Sequence, residues 1–593
     1  MPRMSSFECI RFLGQTLPLS TAIFARAFCI GCLYDAGVDT QVDDCRSFAP
    51  GCGLAALIAM LLFCPLADCD EGVGKPKPTE VKPSADATGV SPDAARSRDP
   101  RFDILEYRVV GNTRLPRLDI EKAVYPFLGP HRSIKDVEDA RLSLERAYQK
   151  AGYLTVLVYI PEQKVQRGVV RLQVVEGKVG ELRVSGNRYF AAGVIRESVP
   201  SLAPGVVPSI PTVEKQMIAL NKTPDRRVTP ALSPGEQPGA VDVDLKVVDQ
   251  LPLHGSVDLN NNYTPNTTAL RLNAGLRYDN LWQREHSIGV SVQVSPQQMQ
   301  DSLVYSGSYS LPVGGDAVLA FYGLHSNSNA ATVGLDVVGA GTIFGARGII
   351  PLQPLAGGYT HNVTLGIDHK DLDEMVQFGG ATVETPISYT PFLIQYSGAQ
   401  NGSRGTTQFQ LSLNFAPRIE ILSNSDTEFE NNRFLAQASY VYLRGDISRT
   451  QVLPKGWSVY AALGGQVADQ PLVSSEQFAV GGVATVRGYL DAEVLGDNGL
   501  RGRFELHTPS LTGTGLHLDD FYLLAFLDGA EVHVLDPLPT QTSSFHIASG
   551  GIGLRMRARG HIDIAADLAY PFYDSTYTRA GDPRIQFSLA YRF

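Results

Sequence analysis

Beyond residue 69 the chain has no cysteine: all seven, Cys9, Cys29, Cys32, Cys45, Cys52, Cys64 and Cys69, lie before that point. A mature region without thiols has nothing to mispair in an oxidising compartment, and it offers no thiolate as nucleophile or metal ligand. Cations are also in deficit, with 51 Lys and Arg against 61 Asp and Glu and a formal net charge of -10. Phosphate neutralisation needs a clustered excess of Lys and Arg, so nucleic acid is excluded as the main partner. After residue 70 no apolar run approaches the ~20 residues of a membrane-spanning helix. That excludes a helical membrane protein for the body of the chain and leaves a membrane barrel open, because barrel strands carry polar residues at every second position. Neither a G-x-x-x-x-G-K-S/T loop nor a dinucleotide fingerprint occurs. No Ser/His/Asp set converges and no His/Cys cluster has metal-ligand spacing, so the chain is not expected to be an enzyme, and neither a metal nor a cofactor is expected.

What is present begins with an N-terminal extension and signal sequence over residues 1–69. The apolar segment Gly51 to Ala67 follows Arg46 and ends before Asp68 and Asp70, the layout of a secretory signal. Its upstream flank is long for a leader, which points to an early start codon or an extended leader. Residues 70–100 repeat Pro, Lys, Ser and Asp with almost no large apolar residue and read as a linker.

At Phe102 the texture changes. FDILEYRVVGNTRL reads as a strand closed by a Gly-Asn turn, Leu118 to Leu128 and Ser133 to Lys150 as helices, and TVLVYIPEQ and GVVRLQVVEG as strands. The same order restarts at VGELRVSGNRYF, where Gly186 and Asn187 answer Gly111 and Asn112; a helix over Thr212 to Asn221 and the strand AVDVDLKVVD follow. Residues 101–177 and 178–250 therefore read as tandem copies of one small αβ module, an arm and not an enzyme core.

Residues 251–593 read almost purely as strands, with alternating apolar and polar residues between Asn, Asp, Gly and Pro turns. About eleven segments precede Gln477 and about five follow it, an even total that suits a closed barrel with a wet lumen. In the last segment Phe587, Leu589, Tyr591 and Phe593 share one face, and the chain ends on that aromatic. Arg501, Arg503, Glu505 and His507 alternate likewise and read as lumen-facing charge of structural kind; neither His507 nor His533 is read as catalytic. The strand pattern is interrupted by a long loop, 470–498, which overlaps the glycine-rich stretch Gln477 to Leu500. Gly481 and Gly482 lie in it, and its centre is one cation, Arg487, flanked by Val486, Gly488 and Tyr489.

With FAVGGVATVRGYLDAEVLGDNG, FLDG at Phe526 to Gly529, VVEGKVGELRVSGN at Val174 to Asn187 and DRRVTPALSPGEQPGAVDVDLKV at Asp225 to Val247, the chain resembles the two-partner secretion transporters, the TpsB group, over roughly residues 100–593. These are outer-membrane barrels preceded by periplasmic POTRA domains. The resemblance implies a 16-stranded antiparallel outer-membrane β-barrel after two αβ POTRA domains, the latter in the periplasm. It implies a partner that is a large secreted exoprotein of haemolysin or adhesin type, captured by its N-terminal secretion domain. It also implies insertion into outer-membrane lipid by the barrel-assembly machinery, and a monomer. In the loop motif, Val486, Arg487, Gly488 and Tyr489 are the matching tetrad; Phe526, Asp528 and Gly529 match the facing wall motif, and Asp528 is assigned as the partner of Arg487. Tyr591 and Phe593 match the C-terminal strand signal. A plug helix of the kind family members often carry has little room here: only Ser91 to Arg98 could form a turn or two. Two other readings stay open, an assembly insertase of the same superfamily, which usually carries three or more POTRA units, and a passive porin, which needs no arm. A secreted all-β enzyme would need a catalytic constellation that the chain lacks.

Overall fold

The computed structural model describes residues 101–593, apart from 237–238, 328–329, 333–334, 339, 356, 379–380, 419–424 and 513–517. The leader, the linker and Ser91 to Arg98 lie outside the described residues. Two units separate: one runs to Pro252 and also takes in Trp282–Arg284, and the other holds Leu253–Leu281 and Glu285–Phe593.

In the first unit, β1 (Phe102–Ile104), β2 (Glu106–Val110), α1 (Arg117–Val124), β3 (Gly129–Arg132), α2 (Ile134–Lys150), β4 (Val156–Tyr159) and β5 (Val169–Glu176) form one module. Its sheet has the order β2-β5-β4, β2 parallel and β4 antiparallel to β5. The second module, β6 (Lys178–Ser185), α3 (Ala192–Glu197), α4 (Ile210–Leu220), β7 (Arg226–Pro234) and β8 (Ala240–Asp249), repeats that topology as β6-β8-β7. The repeat extends to chemistry. Gly111 and Gly186 both take positive φ, and a Cβ on either would stand 2.3 or 2.5 Å from a carbonyl oxygen of the neighbouring strand. The amides after each Gly-Asn turn donate to a carboxylate at the end of the central strand. Glu176 accepts from Thr113 and Arg114 (2.6 and 3.0 Å); Asp249 accepts from Tyr189 and Phe190 (2.8 and 3.0 Å).

The structure differs from the sequence reading at four places. The first strand is split at Leu105, and β1 pairs with β3 as a separate ribbon. The helix read as Leu118 to Leu128 stops at Val124, where Pro126 has no amide to continue the helical hydrogen bonding and a 3₁₀ turn, Tyr125–Phe127, takes over. The short α3 was not read. Nor was β7: its Pro230 and Pro234 disguise a strand that tolerates them because it lies at a sheet edge.

α2 buries Val137, Ala140, Leu144 and Tyr148 against β4 and β5, and starts in a reciprocal capping box between Ser133 and Asp136. The Ser133 amide, followed by its hydroxyl, holds the Asp136 carboxyl below its ordinary range. A lowered folded-state pKa means that the box contributes fully above the unfolded carboxylate's pKa, about 3.9, and is lost as pH falls through the folded value. Asp136→Ala should therefore lower protection of the α2 amides at pH 7 by about 1 kcal/mol. Hydrogen exchange on the intact chain should find that deficit closing as the wild-type helix loses its box in acid; an equal deficit at every pH would exclude the mechanism.

The second unit is a ring. Its strands are β9 (Leu253–Asn260), β10 (Arg271–Leu281), β11 (His286–Val294), β12 (Leu303–Pro312), β13 (Val318–Ser326), a small hairpin β14 (Ala330–Thr332) and β15 (Leu335–Val338) outside the ring, β16 (Gly341–Pro351), β17 (Tyr359–Phe378), β18 (Ala381–Tyr389), β19 (Phe392–Gly402), β20 (Gly405–Ala416), β21 (Tyr440–Val452) and β22 (Ser458–Ala468). A helix α5 (Asp426–Asn432) lies between β20 and β21. After a second small hairpin, β23 (Phe478–Val480) with β24 (Val494–Gly496), the ring resumes with β25 (Asn498–His507), β26 (Leu518–His533), β27 (Ser544–Ala558), β28 (Ile562–Pro571) and β29 (Arg584–Arg592). β18 and β19 both pair with β17, either side of Thr390 and Pro391, and so are two halves of one stave. Pro391 has no amide to donate, while its carbonyl still accepts from Asp368 at 3.0 Å. The closed antiparallel barrel thus has sixteen staves, and closure satisfies every ladder that lipid could not.

Side chains alternate as the period of two demands. On β11 Ile288, Val290 and Val292 face outward, and on β29 Ile585, Leu589 and Tyr591 do, while Gln586 and Ala590 are buried inside. The ring closes where β29 meets β9: Gly255 and Phe593 exchange two backbone hydrogen bonds of 3.0 Å, and the Phe593 ring occupies the space over Gly255, 2.2 Å from where a Cβ would stand. Leu253 and Phe593 mark the near end of the barrel. At the far end, Leu372, Ile387 and Tyr389 pack with Phe429 of α5, Tyr440, Leu472 and Val473 into an apolar cluster inside the wall. No helix among the described residues is long and apolar enough to cross a membrane.

Candidate functional site

The loop 469–497 leaves β22 and rejoins β25 at the far end, yet its residues are among the most buried in the molecule: Val480, Val486, Arg487 and Tyr489 are all 0% exposed. Two glycines make the fold-back feasible. Gly481 and Gly482 have φ of 113° and 90°, and a Cβ on Gly482 would stand 1.7 Å from the Asp491 carboxylate. Thr485 clamps the turn, its Oγ1 accepting from the Gly481 amide at 2.7 Å and donating to the Gly481 carbonyl at 2.8 Å. Val486 joins Phe478, Val494, Val532 and Ile547 in a small apolar core that fixes the loop to β26 and β27.

That packing delivers Arg487 to the wall. Its Nε and Nη2 donate to the two oxygens of Asp528 at 2.6 and 2.8 Å, and its backbone amide donates to the same carboxylate at 3.2 Å. The bidentate geometry is one that guanidinium alone can make. The guanidinium lies 3.6 Å from the centroid of the Phe526 ring, a cation–π contact on its other face. The Phe526 ring in turn needs Gly551, where a Cβ would stand 2.6 Å from its tip. Gly529 continues the β26 ladder opposite Gly502 and Ala548. Gly488, at φ 89°, donates its amide to Gln586 at 2.9 Å, and the Tyr489 hydroxyl donates to the Tyr573 carbonyl at 2.9 Å. Of the C-terminal pair, Phe593 closes the seam and Tyr591 faces outward.

Charge around Arg487 is balanced within the wall. Glu505 is 2.8 Å and Asp567 3.8 Å from the guanidinium. Arg503 pairs with Glu505 (3.1 Å) and approaches Asp528 (3.6 Å), Arg555 pairs with Asp567 (2.8 Å), and His507 contacts Glu505 (2.8 Å). Three arginines thus meet three carboxylates on β25, β26, β27, β28 and the loop. Nη1 of Arg487 makes no hydrogen bond among the described residues. A buried donor left in that state costs about 1–3 kcal/mol, so the seat is tight without being saturated.

Sequence reasoning singled out Arg487, Phe526 and Asp528 and missed Asp567, Arg555, Gln586 and Gly551. Alternation was the available signal: on β28 and β29 the inward positions carry Asp567 and Gln586, polar residues on a face turned from lipid. Beside the loop, the wall from β16 round to β25 lines a cavity of about 550 Å³ with Asn362, Gln408, Gln410, Asp446, Ser448 and Arg501. Phe409, Ile447 and Leu463 share the lining, so the cavity presents polar and apolar surface together.

Comparison with known proteins gives consistent results. A family model for "Haemolysin secretion/activation protein ShlB/FhaC/HecB" matches residues 239–337 and 388–556, and one for "POTRA domain, ShlB-type" matches residues 102–177. The chain is 23% identical over 511 residues to the "Heme/hemopexin transporter protein HuxB" of Haemophilus influenzae (strain 86-028NP), covering 83% of this chain and 88% of that one. It is 22% identical over 509 residues to the "Outer membrane transporter CdiB" of Dickeya dadantii (strain 3937), covering 80% and 84%. The solved structure of CdiB from Escherichia coli superposes with a TM-score of 0.59 over 85% of this chain and 93% of that one, at 20% identity, a likeness of fold.

Proposed function

The chain belongs to the ShlB/FhaC/HecB family of haemolysin secretion/activation proteins, and from that premise we propose how its parts divide the work of export. The protein is an outer-membrane transporter of two-partner secretion, with its POTRA region in the periplasm and a large secreted exoprotein as partner. In our reading both αβ modules are POTRA domains and act as the receptor. Each carries a three-stranded sheet with open edges, and on β4 the outward Leu157 and Tyr159 are 58% and 48% exposed. An unfolded client adds there as a strand, its main chain supplying affinity and its side chains selectivity. The repeated carboxylate clasp of Glu176 and Asp249 supports treating the modules as equivalents. The client carries an N-terminal secretion domain. The barrel-assembly machinery inserts the transporter, which works as a monomer and performs no catalysis; export draws its direction from the client folding outside.

The loop is the movable element. One observation carries this reading: a fully buried arginine on a chain segment that is not part of the wall, held by a bidentate carboxylate that is. Buried ion pairs contribute little net stability against apolar packing and are better at specifying one arrangement. A pair between loop and wall therefore specifies where the loop rests. Asp528→Asn keeps the shape and removes the charge, at about 1.5–3 kcal/mol for the charged hydrogen bonds. Export of the client should fall at least about tenfold, while heat-modifiable mobility on gels stays that of a folded barrel; undiminished export would show that the pair is not needed.

A further inference from the structure

The loop has a second buried ionic seat, on a different sector of the wall. Glu476, 3% exposed, lies just before β23. Lys370 of β17 donates to its Oε1 at 2.5 Å, Tyr389 of β18 to the same oxygen at 2.7 Å, and Tyr442 of β21 to Oε2 at 2.8 Å. Beside it, Ser474 donates to Glu374 at 2.5 Å, and Ser475 and Tyr389 share a 2.8 Å hydrogen bond. The Gln466 amide donates to the carbonyls of Glu476 and Asp497 at 3.1 and 3.0 Å, tying the two ends of the loop together. The Asp497 carboxylate, 0% exposed, takes Arg433 at 3.0 Å and the amides of Leu472 and Leu535 at 2.8 and 2.6 Å. Arg433 directly follows α5, so the segment that fills the far end is bound to the loop as well.

Two seats on two sectors make the loop a crossbar. Arg487 fastens its tip to β25, β26 and β28, and Glu476 fastens its base to β17, β18 and β21, under the apolar cluster of Tyr389, Phe429, Tyr440 and Leu472. Freeing the tip alone leaves the base, α5 and that cluster in place across the far end. We propose that the Glu476 seat, with Lys370, Tyr389 and Tyr442, is a second latch that must open separately for the far mouth to conduct. This rests on the loop being the movable element. The part of Lys370 and Glu476 is positioning, and releasing them together avoids leaving one charge buried alone.

The test uses the full chain in planar bilayers in potassium chloride. With no cysteine between residues 70 and 593, K370C/E476C supplies the only thiols of the mature region. Bridging them with a reducible bis-maleimide should abolish open-channel events, and cleaving the bridge should restore them. K370M/E476Q, with Arg487 intact, should raise the frequency of open events at least several-fold over the wild type, in protein whose gel mobility shows a folded barrel. Open events that persist in the bridged protein overturn the proposal, and so does K370M/E476Q behaving as wild type while R487A alters the events. If none of these variants, R487A included, changes conductance, the loop itself is not a gate and the reading beneath fails.

Discussion

Arg487→Ala is expected to reduce export of the client to background while the barrel remains inserted in the outer membrane. The substitution removes both side-chain bonds to Asp528 and leaves that carboxylate, 1% exposed, with Arg503 at 3.6 Å as its nearest cation. Removing one member of a buried ion pair costs about 3–5 kcal/mol, which shifts the balance between seated and unseated loop by about 100-fold to several thousand-fold. The barrel itself should tolerate the change, because its ladders and outward face do not involve the loop. Surface protease shaving separates the effects: the barrel fragment should stay protected while the loop becomes cleavable. Wild-type secretion would show that the loop cation is dispensable.

Deletion of residues 102–175 should have an effect of similar size by another route. It removes β4, most of β5 and the whole helical layer of the first module, and with them the sheet edges offered to a client. Export should fall by about 100-fold or more, and binding of the client's N-terminal secretion domain to outer-membrane preparations should be lost. Ion conductance in planar bilayers should persist, since the ring from Leu253 to Phe593 closes through its own hydrogen bonds. Normal secretion by the deleted protein would remove the capture role from this module.

Much of the architecture was readable in the order of residues because the strands after residue 251 repeat a period of two, segment after segment, with turn residues between them. The repeat of the αβ module was visible in its Gly-Asn turns, whose positive φ leaves few alternatives to glycine. The clasping carboxylates Glu176 and Asp249 were not, because each lies more than sixty residues from the first amides of the turn it serves, with separations of 63 and 61 positions. The same holds inside the barrel. Arg487 stood out as a lone cation among glycines, but Lys370 and Glu476 are 106 positions apart and look like ordinary strand and loop residues until closure brings them together. Long-range pairing of charge leaves no local period to detect.

β17 runs for 20 residues. A tilted membrane strand needs about 9–11 to traverse the hydrocarbon, so roughly half of β17, with β18 paired along it, projects beyond the lipid as a mast above the cell surface. Its foot is pinned from inside: Lys370 on β17 and Tyr389 on β18 both donate to Glu476, and Glu374 accepts from Ser474, so the mast stands on the loop's second seat. A tag inserted between β17 and β18, past those contacts, would report display of the barrel on the cell surface.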